Sequence, residues 1–300
     1  MGPRSCDWCE RIYDDRVRDS AITPRFWRST AATGRLEERL VRGLMLAPAS
    51  ANVVMQLSRR GVGRAIAESK VTSGSLMRRP LKRTRTTLAY IWVALFASDD
   101  ERLEMRRNVD AQHRHVRSRP DDEVTYDAYD ADLQLWVAAC MYVGSTQGYE
   151  TLYGRPSDDV AEELLVQCGR FATTLQVPAT RWPRDRAAFE EYWSSALALV
   201  DVDGVTGAYL RDFVDLRFLP GPLALVLRPL NRLITGGYLA PVFRDALAIT
   251  WSARDQRRFD RLCVVLAWLN RVLPSPLAQF PWNVVRYDTR RRLARRRPLV

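Results

Sequence analysis

The chain has 300 residues, of which 47% are apolar, so it is long enough to bury a core as one large domain or two ordinary ones. Its formal net charge is +11, yet only two of the 46 basic residues are lysine, and the arginines occur along the whole chain. This distribution predicts a generally basic surface rather than a nucleic-acid footprint. The longest apolar run, residues 88–97, is too short to span a bilayer, and the charged N-terminus does not resemble a signal peptide.

The five cysteines are an odd number in a long chain, which predicts a reducing compartment and no disulfide framework. We therefore expect a cytoplasmic protein. The one CxxC motif, Cys6-Asp-Trp-Cys9, has neither a second ligand pair for zinc nor the strand and helix of a thioredoxin-like motif. It is not expected to carry chemistry.

Almost every patterned segment has helical period, which predicts an all-α fold. We expect an irregular or partly helical N-terminal arm (1–45), one helical domain (46–285) and a basic, solvated C-terminal tail (286–300). Prolines are expected to separate the helices, and the segments 133–143 and 262–269 are apolar all round, which predicts a central position for both. The predicted helices are 50–68, 84–97, 98 to about 115, 130–147, 157–175, 186–199, 206–217, 240–249 and 253–272.

Two acidic features are interpreted as helix caps. Ser98-Asp-Asp-Glu101 has the pattern of a capping box, so a helix is expected to start there and run toward His115. A second group of carboxylates lies where a loop meets a helix N-terminus, and capping is favoured there over a Mg²⁺ site. This group comprises Asp121, Asp122, Glu123, Asp127, Asp130 and Asp132.

The two histidines of the chain, His113 and His115, are separated by one residue. On a helix starting at Ser98, Met105, Val109, His113 and Val116 share one apolar stripe, while His115 is rotated by about 200° from His113. The pair therefore cannot share one metal ion. His113 is either a hydrogen-bonded core residue or a ligand, and one inward imidazole suits haem, which needs a single proximal histidine, better than zinc or non-haem iron.

Several motifs, in their shared order, resemble the MpaB and latex-clearing-protein (rubber oxygenase) family over about residues 50–290. They are Pro80-Leu-Lys-Arg83-Thr-Arg-Thr-Thr87-Leu-Ala-Tyr90, Phe96-Ala-Ser98, His113-x-x-Val116, Tyr126-x-Ala128-x-Asp130-x-x-Leu133-x-x-Trp136-Val137, Tyr149-Glu-x-x-Tyr153-Gly, Pro178, Tyr192-Trp193, Leu230 to Pro241-x-x-Arg244, and Leu273-Pro-Ser-Pro276 to Pro281.

The resemblance implies an all-α domain that encloses one haem b and acts as an oxygenase, with O₂ and an apolar small-molecule or isoprenoid-like substrate. Oxidative cleavage of a carbon–carbon double bond and tailoring of a secondary metabolite both remain open. The family's proximal histidine falls on His113, which we expect to bind iron through Nε2 while its other nitrogen donates to a carbonyl or carboxylate.

On the distal side, the resemblance implies roles for Arg83 and Thr87, whereas Thr86 stands where the rubber oxygenases have a lysine. Arg83 is expected to hold a haem propionate or stabilise bound oxygen; the alternative is a solvated arginine. Glu68 lies near the position of a glutamate proposed as base in the rubber enzymes, a role that requires burial to raise its pKa.

Two alternatives of other classes remain: a haem-binding sensor or carrier without oxygenase activity, and a basic helical module that binds nucleic acid or an acidic protein. Nucleic acid is the less favoured partner because the arginines are dispersed. The run Arg290 to Arg297 leaves open a contact with a membrane or an acidic partner.

Overall fold

A computed structural model describes residues 35–68 and 76–300, and Cys6, Cys9 and most of the predicted arm 1–45 lie outside these ranges. Within them the chain forms one all-α domain with no strand, since Arg117 and Asp127 make only an isolated bridge. The first helices are α1 Leu36–Leu40, α2 Ala49–Leu57, α3 Arg60–Ala67, α4 Pro80–Phe96, α5 Asp99–His113, α6 Ala131–Tyr153, α7 Asp158–Cys168 and α8 Arg170–Thr173. They are followed by α9 Arg186–Leu197, α10 Gly204–Val214, α11 Gly221–Tyr238, α12 Pro241–Ala246, α13 Ala253–Val272, α14 Ser275–Ala278 and α15 Trp282–Ala294. Short 3₁₀ helices lie at Gly43–Leu46 and Ala179–Arg181.

Helix α6 forms the centre of the domain, as its apolar segment 133–143 predicts. It packs against α2, α7, α13 and the 3₁₀ helix at Gly43–Leu46. The Asp130 carboxylate caps its N-terminus by accepting from the amides of Asp132 at 2.8 Å and Leu133 at 3.2 Å. Trp136 is fully buried and stacks on Trp193 of α9, with ring centroids 5.1 Å apart. The core therefore forms around a helix whose surface is buried on almost every side.

The capping box at the start of α5 is confirmed. The Glu101 amide donates to Ser98 Oγ at 3.3 Å, and the Ser98 amide donates to the Glu101 carboxylate at 3.0 Å. The other end of α5 differs from the prediction, because the helix stops at His113. After this residue the chain turns back and pairs with residues 126–128, so that the Ala128 amide donates to the Val116 carbonyl at 2.9 Å. His115 thus lies in a turn, where its side chain is exposed.

Proline did not end helices as uniformly as the sequence suggested. Helix α4 starts at Pro80, where the missing amide of the first turn costs no hydrogen bond. Helix α11 was not predicted at all, although it has 18 residues and accommodates Pro229 in its interior. Conversely, the predicted helix 50–68 is two helices, because the chain is extended at Arg59. The predicted helix 157–175 is likewise divided into α7 and the one-turn α8.

The C-terminal residues 286–300 were expected to form a solvated tail, and this expectation is wrong for most of them. Residues up to Ala294 belong to α15, which packs against α4. Beyond the helix, Leu299 is 1% exposed and packs against apolar residues of α4 and α5. Its amide donates to Asn108 Oδ1 at 2.9 Å. Burial of a leucine side chain contributes about 1.5–3 kcal/mol, which is enough to hold this segment against the domain.

The segment 262–269 was predicted to be central, and this is also wrong. Ala267 is buried, but Val265 and Trp268 on the outer side of α13 are 48% and 52% exposed. An apolar helix surface requires a partner on each side to be buried, and the outer side of α13 has no described partner.

Candidate functional site

His113 is the last residue of α5, and the apolar stripe of that helix positions it. Met105 is fully buried and Val109 nearly so, which holds this side of α5 against α4 and the C-terminal residues. His113, one turn further along the stripe, is half-buried, and its Nδ1 atom is buried with no hydrogen-bond partner in the described structure. The hydrogen bond that we expected from this second ring nitrogen is therefore not present. A buried unpaired nitrogen costs about 1–3 kcal/mol, and a bound group can offset that cost.

The surroundings of His113 favour its neutral form. Burial is the main cause that lowers the pKa of the imidazole, and the positive charge of Arg83 lowers the pKa further, against the opposing charges of Asp110 and Asp127. The edge of the Tyr129 ring meets the imidazole, with centroids 6.4 Å apart and planes at 86°. Neutral imidazole is the form that binds iron, so His113 is electrostatically prepared to be a ligand at neutral pH.

Arg83 lies on α4 and faces the same region. The Arg83 side chain is exposed, yet burial lowers its pKa. Its charge lowers the pKa of His113, and the Tyr209 phenol opposes the effect of burial on the pKa of Arg83. Its guanidinium makes no hydrogen bond or ion pair among residues 35–68 and 76–300. It is therefore a cation with free hydrogen-bond donors beside the histidine.

The two threonines after Arg83 have different environments. Thr86 is buried, and its hydroxyl donates to the Arg83 carbonyl at 3.0 Å. This hydroxyl is therefore not available as a polar group in place of the lysine of the rubber oxygenases. Thr87 is exposed and lies one helical turn after Arg83, on the same side of α4. The structure thus keeps Thr87, and not Thr86, available beside Arg83.

Tyr209 of α10 also belongs to this site, and sequence reasoning missed it. Burial raises the pKa of the phenol, while the charge of Arg83 acts in the opposite direction. The phenol therefore stays protonated at neutral pH and can donate a hydrogen bond. No motif marks Tyr209, since only the packing of α10 within the domain brings it to Arg83.

A chain of amide side chains supports the end of α5. The Asp110 carboxylate, one turn before His113, accepts from the Gln176 amide group. Gln176 is in turn bound to Gln134 of α6, which is buried and also donates to the Ala128 carbonyl at 2.7 Å. The Tyr129 hydroxyl donates to the Asp110 carbonyl at 2.9 Å. These bonds connect the His113 turn to the central helix and limit its movement.

Glu68, the predicted base, follows α3 and pairs with Arg64 rather than with Arg83. Arg64 is buried and binds three carboxylates: Asp203 Oδ2 at 2.6 Å, Glu68 and Glu123. Gly63 allows this arrangement, because a side chain there would meet Thr206 of α10 and the Leu57 carbonyl. The role of Glu68 as a base remains a prediction.

The residues present fit one haem better than another metal centre. The described ranges contain no group of three or more histidine, cysteine, aspartate or glutamate side chains that could hold a metal ion. The predicted caps account for several acidic side chains, since Asp130 caps α6 and Asp127 accepts from the Tyr129 amide at 2.8 Å. One imidazole whose pKa is lowered, near a guanidinium without a described partner, matches a group that needs one axial ligand and carries carboxylates.

Comparison with known proteins agrees with the motifs. The family model described as "ER-bound oxygenase mpaB/B'/Rubber oxygenase, catalytic domain" matches residues 39–268, which include both His113 and Arg83. The chain is also 42% identical over 256 residues to the uncharacterized protein Rv2237 of Mycobacterium tuberculosis. The uncharacterized protein Mb2261 of Mycobacterium bovis matches to the same extent. These alignments cover 85% of the chain and the whole of each relative. No solved structure matches the chain.

Proposed function

The chain belongs to the mpaB/rubber oxygenase family, and on this basis we propose that it is a haem b-dependent oxygenase that acts with O₂ on an apolar organic substrate. The observation that carries the proposal is the state of His113. Burial and the charge of Arg83 lower the pKa of this half-buried imidazole, and it lies at the end of a helix whose position is held by packing and by the Asp110 hydrogen bonds. These are the properties of a ligand that is in place before its metal binds.

Haem b, when bound, supplies the iron centre at which O₂ is activated. His113 would hold the iron from one side. Arg83 would bind an anionic group, either a haem propionate or a developing negative charge on oxygen, because its donors are otherwise unused. Tyr209, which stays protonated, would donate a hydrogen bond near Arg83. The Thr87 hydroxyl, one turn along α4 from Arg83, would be available beside it. The other imidazole, His115, is exposed in the turn after α5.

The substrate class follows from family membership. The proposed substrate is an apolar molecule, such as an isoprenoid-like chain or a secondary metabolite. Carbon–carbon double-bond cleavage and hydroxylation or epoxidation would use the same residues for binding and for charge stabilisation. Identification of the products that the protein forms from an apolar alkene distinguishes cleavage from hydroxylation and epoxidation.

The test is an absorption spectrum and pyridine haemochrome assay on the purified protein, on His113→Ala and on His115→Ala. We expect a Soret band in the wild type that is lost or strongly altered in His113→Ala. His115 is exposed in the turn after α5, so His115→Ala is the matched control and should keep the band. Circular dichroism checks that both variants fold.

A wild-type protein that neither contains haem nor takes up added haem would contradict the proposal. Equal spectra for the two variants would show that His113 is not the ligand. A protein that binds haem through His113 but consumes no O₂ with any apolar alkene would be a haem sensor or carrier instead.

A further inference from the structure

The positive charge of the chain is concentrated at one end. Residues 253–300 contain twelve arginines and three aspartates, a net charge of +9, whereas the whole chain has +11. Eleven of these arginines are exposed, and Arg292 is half-buried. Although arginine is frequent everywhere, acidic residues balance it in the first 252 residues and not in the last 48. The excess charge therefore belongs to a defined part of the structure, helices α13 to α15 and the residues after them.

The same three helices expose an unusual number of apolar side chains. Helix α15 buries Trp282, Val285 and Thr289, and its outer side carries Val284 and Tyr287. Together with the outer side of α13 and the residues around α14, these side chains form what we name the C-terminal face. Its members, each between 48% and 68% exposed, are Val265, Trp268, Val272, Leu277, Phe280, Val284 and Tyr287.

The spacing of these residues makes the face continuous along each helix. Val265, Trp268 and Val272 are three and four residues apart, and so form one stripe on α13. Val284 and Tyr287 are three residues apart on α15, and Phe280 lies in the connection just before this helix. The connections from α13 to α14 and from α14 to α15 are only two and three residues long. Three consecutive helices thus present aliphatic and aromatic side chains outward.

An arginine-lined cleft continues this stripe at the end of α15. Its volume is about 110 Å³, and it is lined by Asp288, Arg291, Arg292, Arg295 and Arg297. Asp288 is already bound to Arg292 at 2.8 Å and to Arg85 at 3.6 Å. The remaining arginines can take an external anion, and their charges exceed the partial negative charge of about one half at a helix C-terminus. Arg291 lies one turn beyond Tyr287, so the anion site adjoins the apolar stripe.

We propose that the C-terminal face docks the protein on the surface of an anionic membrane, with the apolar side chains at the boundary of headgroups and acyl chains and a lipid phosphate in the arginine cleft. None of the described helices is both long and apolar enough to cross a bilayer. Aromatic residues and exposed aliphatic side chains next to clustered arginines are the composition that binds the interface of an anionic bilayer.

The charge and the side chains select this partner over two others. A second copy of the chain would bring one strongly positive face against another, which electrostatic repulsion opposes. Nucleic acid would use the arginines, and it would use aromatic rings for stacking, but it gives no reason to expose Val265, Val272, Leu277 and Val284. Of these three partners, the bilayer is the one that complements both the charges and the aliphatic surface.

The experiment is co-sedimentation of the full chain with vesicles of equal parts phosphatidylglycerol and phosphatidylcholine, and with vesicles of phosphatidylcholine alone. We expect binding only to the anionic vesicles. Each arginine near an anionic surface contributes a factor of about five to the partition, so Arg291→Gln, Arg295→Gln and Arg297→Gln combined should weaken binding about a hundredfold. Trp268→Gln with Phe280→Gln tests the apolar half of the face and should also reduce binding.

The matched controls are exposed residues on other helices. Val166→Gln with Leu199→Gln removes two exposed aliphatic side chains, and Arg181→Gln with Arg184→Gln removes two charges. These variants should bind vesicles as the wild type does. Haem content should be unchanged in every variant, since none of these residues lies at His113, so a negative vesicle result does not bear on the proposed oxygenase.

Several outcomes would overturn the proposal. They are failure to bind anionic vesicles, equal binding to both vesicle types, and an equal loss of binding in the control variants. Full displacement by millimolar inorganic phosphate would assign the cleft to a soluble anion. Tight binding to duplex DNA, lost in the arginine variants and kept in the Trp268/Phe280 variant, would assign the face to nucleic acid.

Discussion

Two arginines, Arg64 on α3 and Arg83 on α4, differ in whether their charge is paired. Arg64 is covered by its partners, and the hydrogen bond to Asp203 is the main cause that raises its pKa. Arg83 has no such partner in the described chain, and burial is the main cause that lowers its pKa. Arg64 is covered yet lies near the surface, where its carboxylates surround it. Arg83 is exposed, and its charge lies close enough to His113 to lower the pKa of that imidazole.

The difference separates a structural charge from an available one. Arg64 uses its donors to join α3, the N-terminus of α10 and the loop that contains Glu123, so its charge is already neutralised. Arg83 retains its donors and is held next to His113 and Tyr209 at a cost in solvation. A protein keeps such a group when a ligand or a reaction supplies the missing partner. Glu68 is part of the Arg64 ion-pair group, whereas His113 lies near the unpaired Arg83.

The largest effect on stability is expected for Arg64→Met. This change removes the buried cation that Asp203, Glu68 and Glu123 share, and only the more exposed Arg60 then pairs with Glu123 and Asp203. Thermal denaturation should show a clear fall in Tm, larger than that of Arg60→Met, whose side chain is more exposed and pairs at up to 3.8 Å. The protein that remains folded should still bind haem, and loss of haem at unchanged Tm would mean that Arg64 belongs to the site.

The opposite pattern is expected for Arg83→Met. A charge-assisted hydrogen bond contributes about 1.5–3 kcal/mol, so haem affinity or O₂ consumption should fall about 10- to 100-fold, as measured by haem titration and oxygen uptake. The Tm of the haem-free protein should stay the same or rise, because an unpaired cation is removed. Arg114→Met is the matched control, since Arg114 is exposed next to His113 in sequence. A fall in Tm with unchanged haem affinity would show that Arg83 has a structural role and does not bind the haem.

A smaller effect sharpens the same comparison through pH. The pKa of His113 is lowered in the folded protein, so the unfolded chain takes up this proton first as the pH falls. The stability of the haem-free protein should therefore decrease as the pH drops below about 6.5, and stop decreasing below the folded pKa, with a slope of at most about 1.4 kcal/mol per pH unit. His113→Gln should remove this contribution in denaturant titrations at several pH values, and His115→Gln should not. A stability that rises as the pH falls through this range would contradict a lowered pKa of His113.

The sequence predicted the local features well. Helix α13 was predicted at 253–272 and observed at Ala253–Val272, because Ser252 and Asp255 form a capping box and the next proline comes at residue 274. The prediction of the inward side of α5 was also correct, because the burial of Met105 and Val109 follows from helical periodicity. Helix α11 was missed because Pro220 and Pro222 were interpreted as a joint between helices, whereas Pro222 lies in the opening turn of α11.

Sequence alone thus determined the all-α class, the caps, the family and the orientation of His113, since each depends on residues within one or two helical turns or on motifs in order. Tertiary structure decided which arginine is paired and which is available. It also brought Tyr209 and Gln176 to the site, and it left Val265 and Trp268 facing outward. Burial and pairing depend on which helices pack together, and residues far apart in the chain determine that packing.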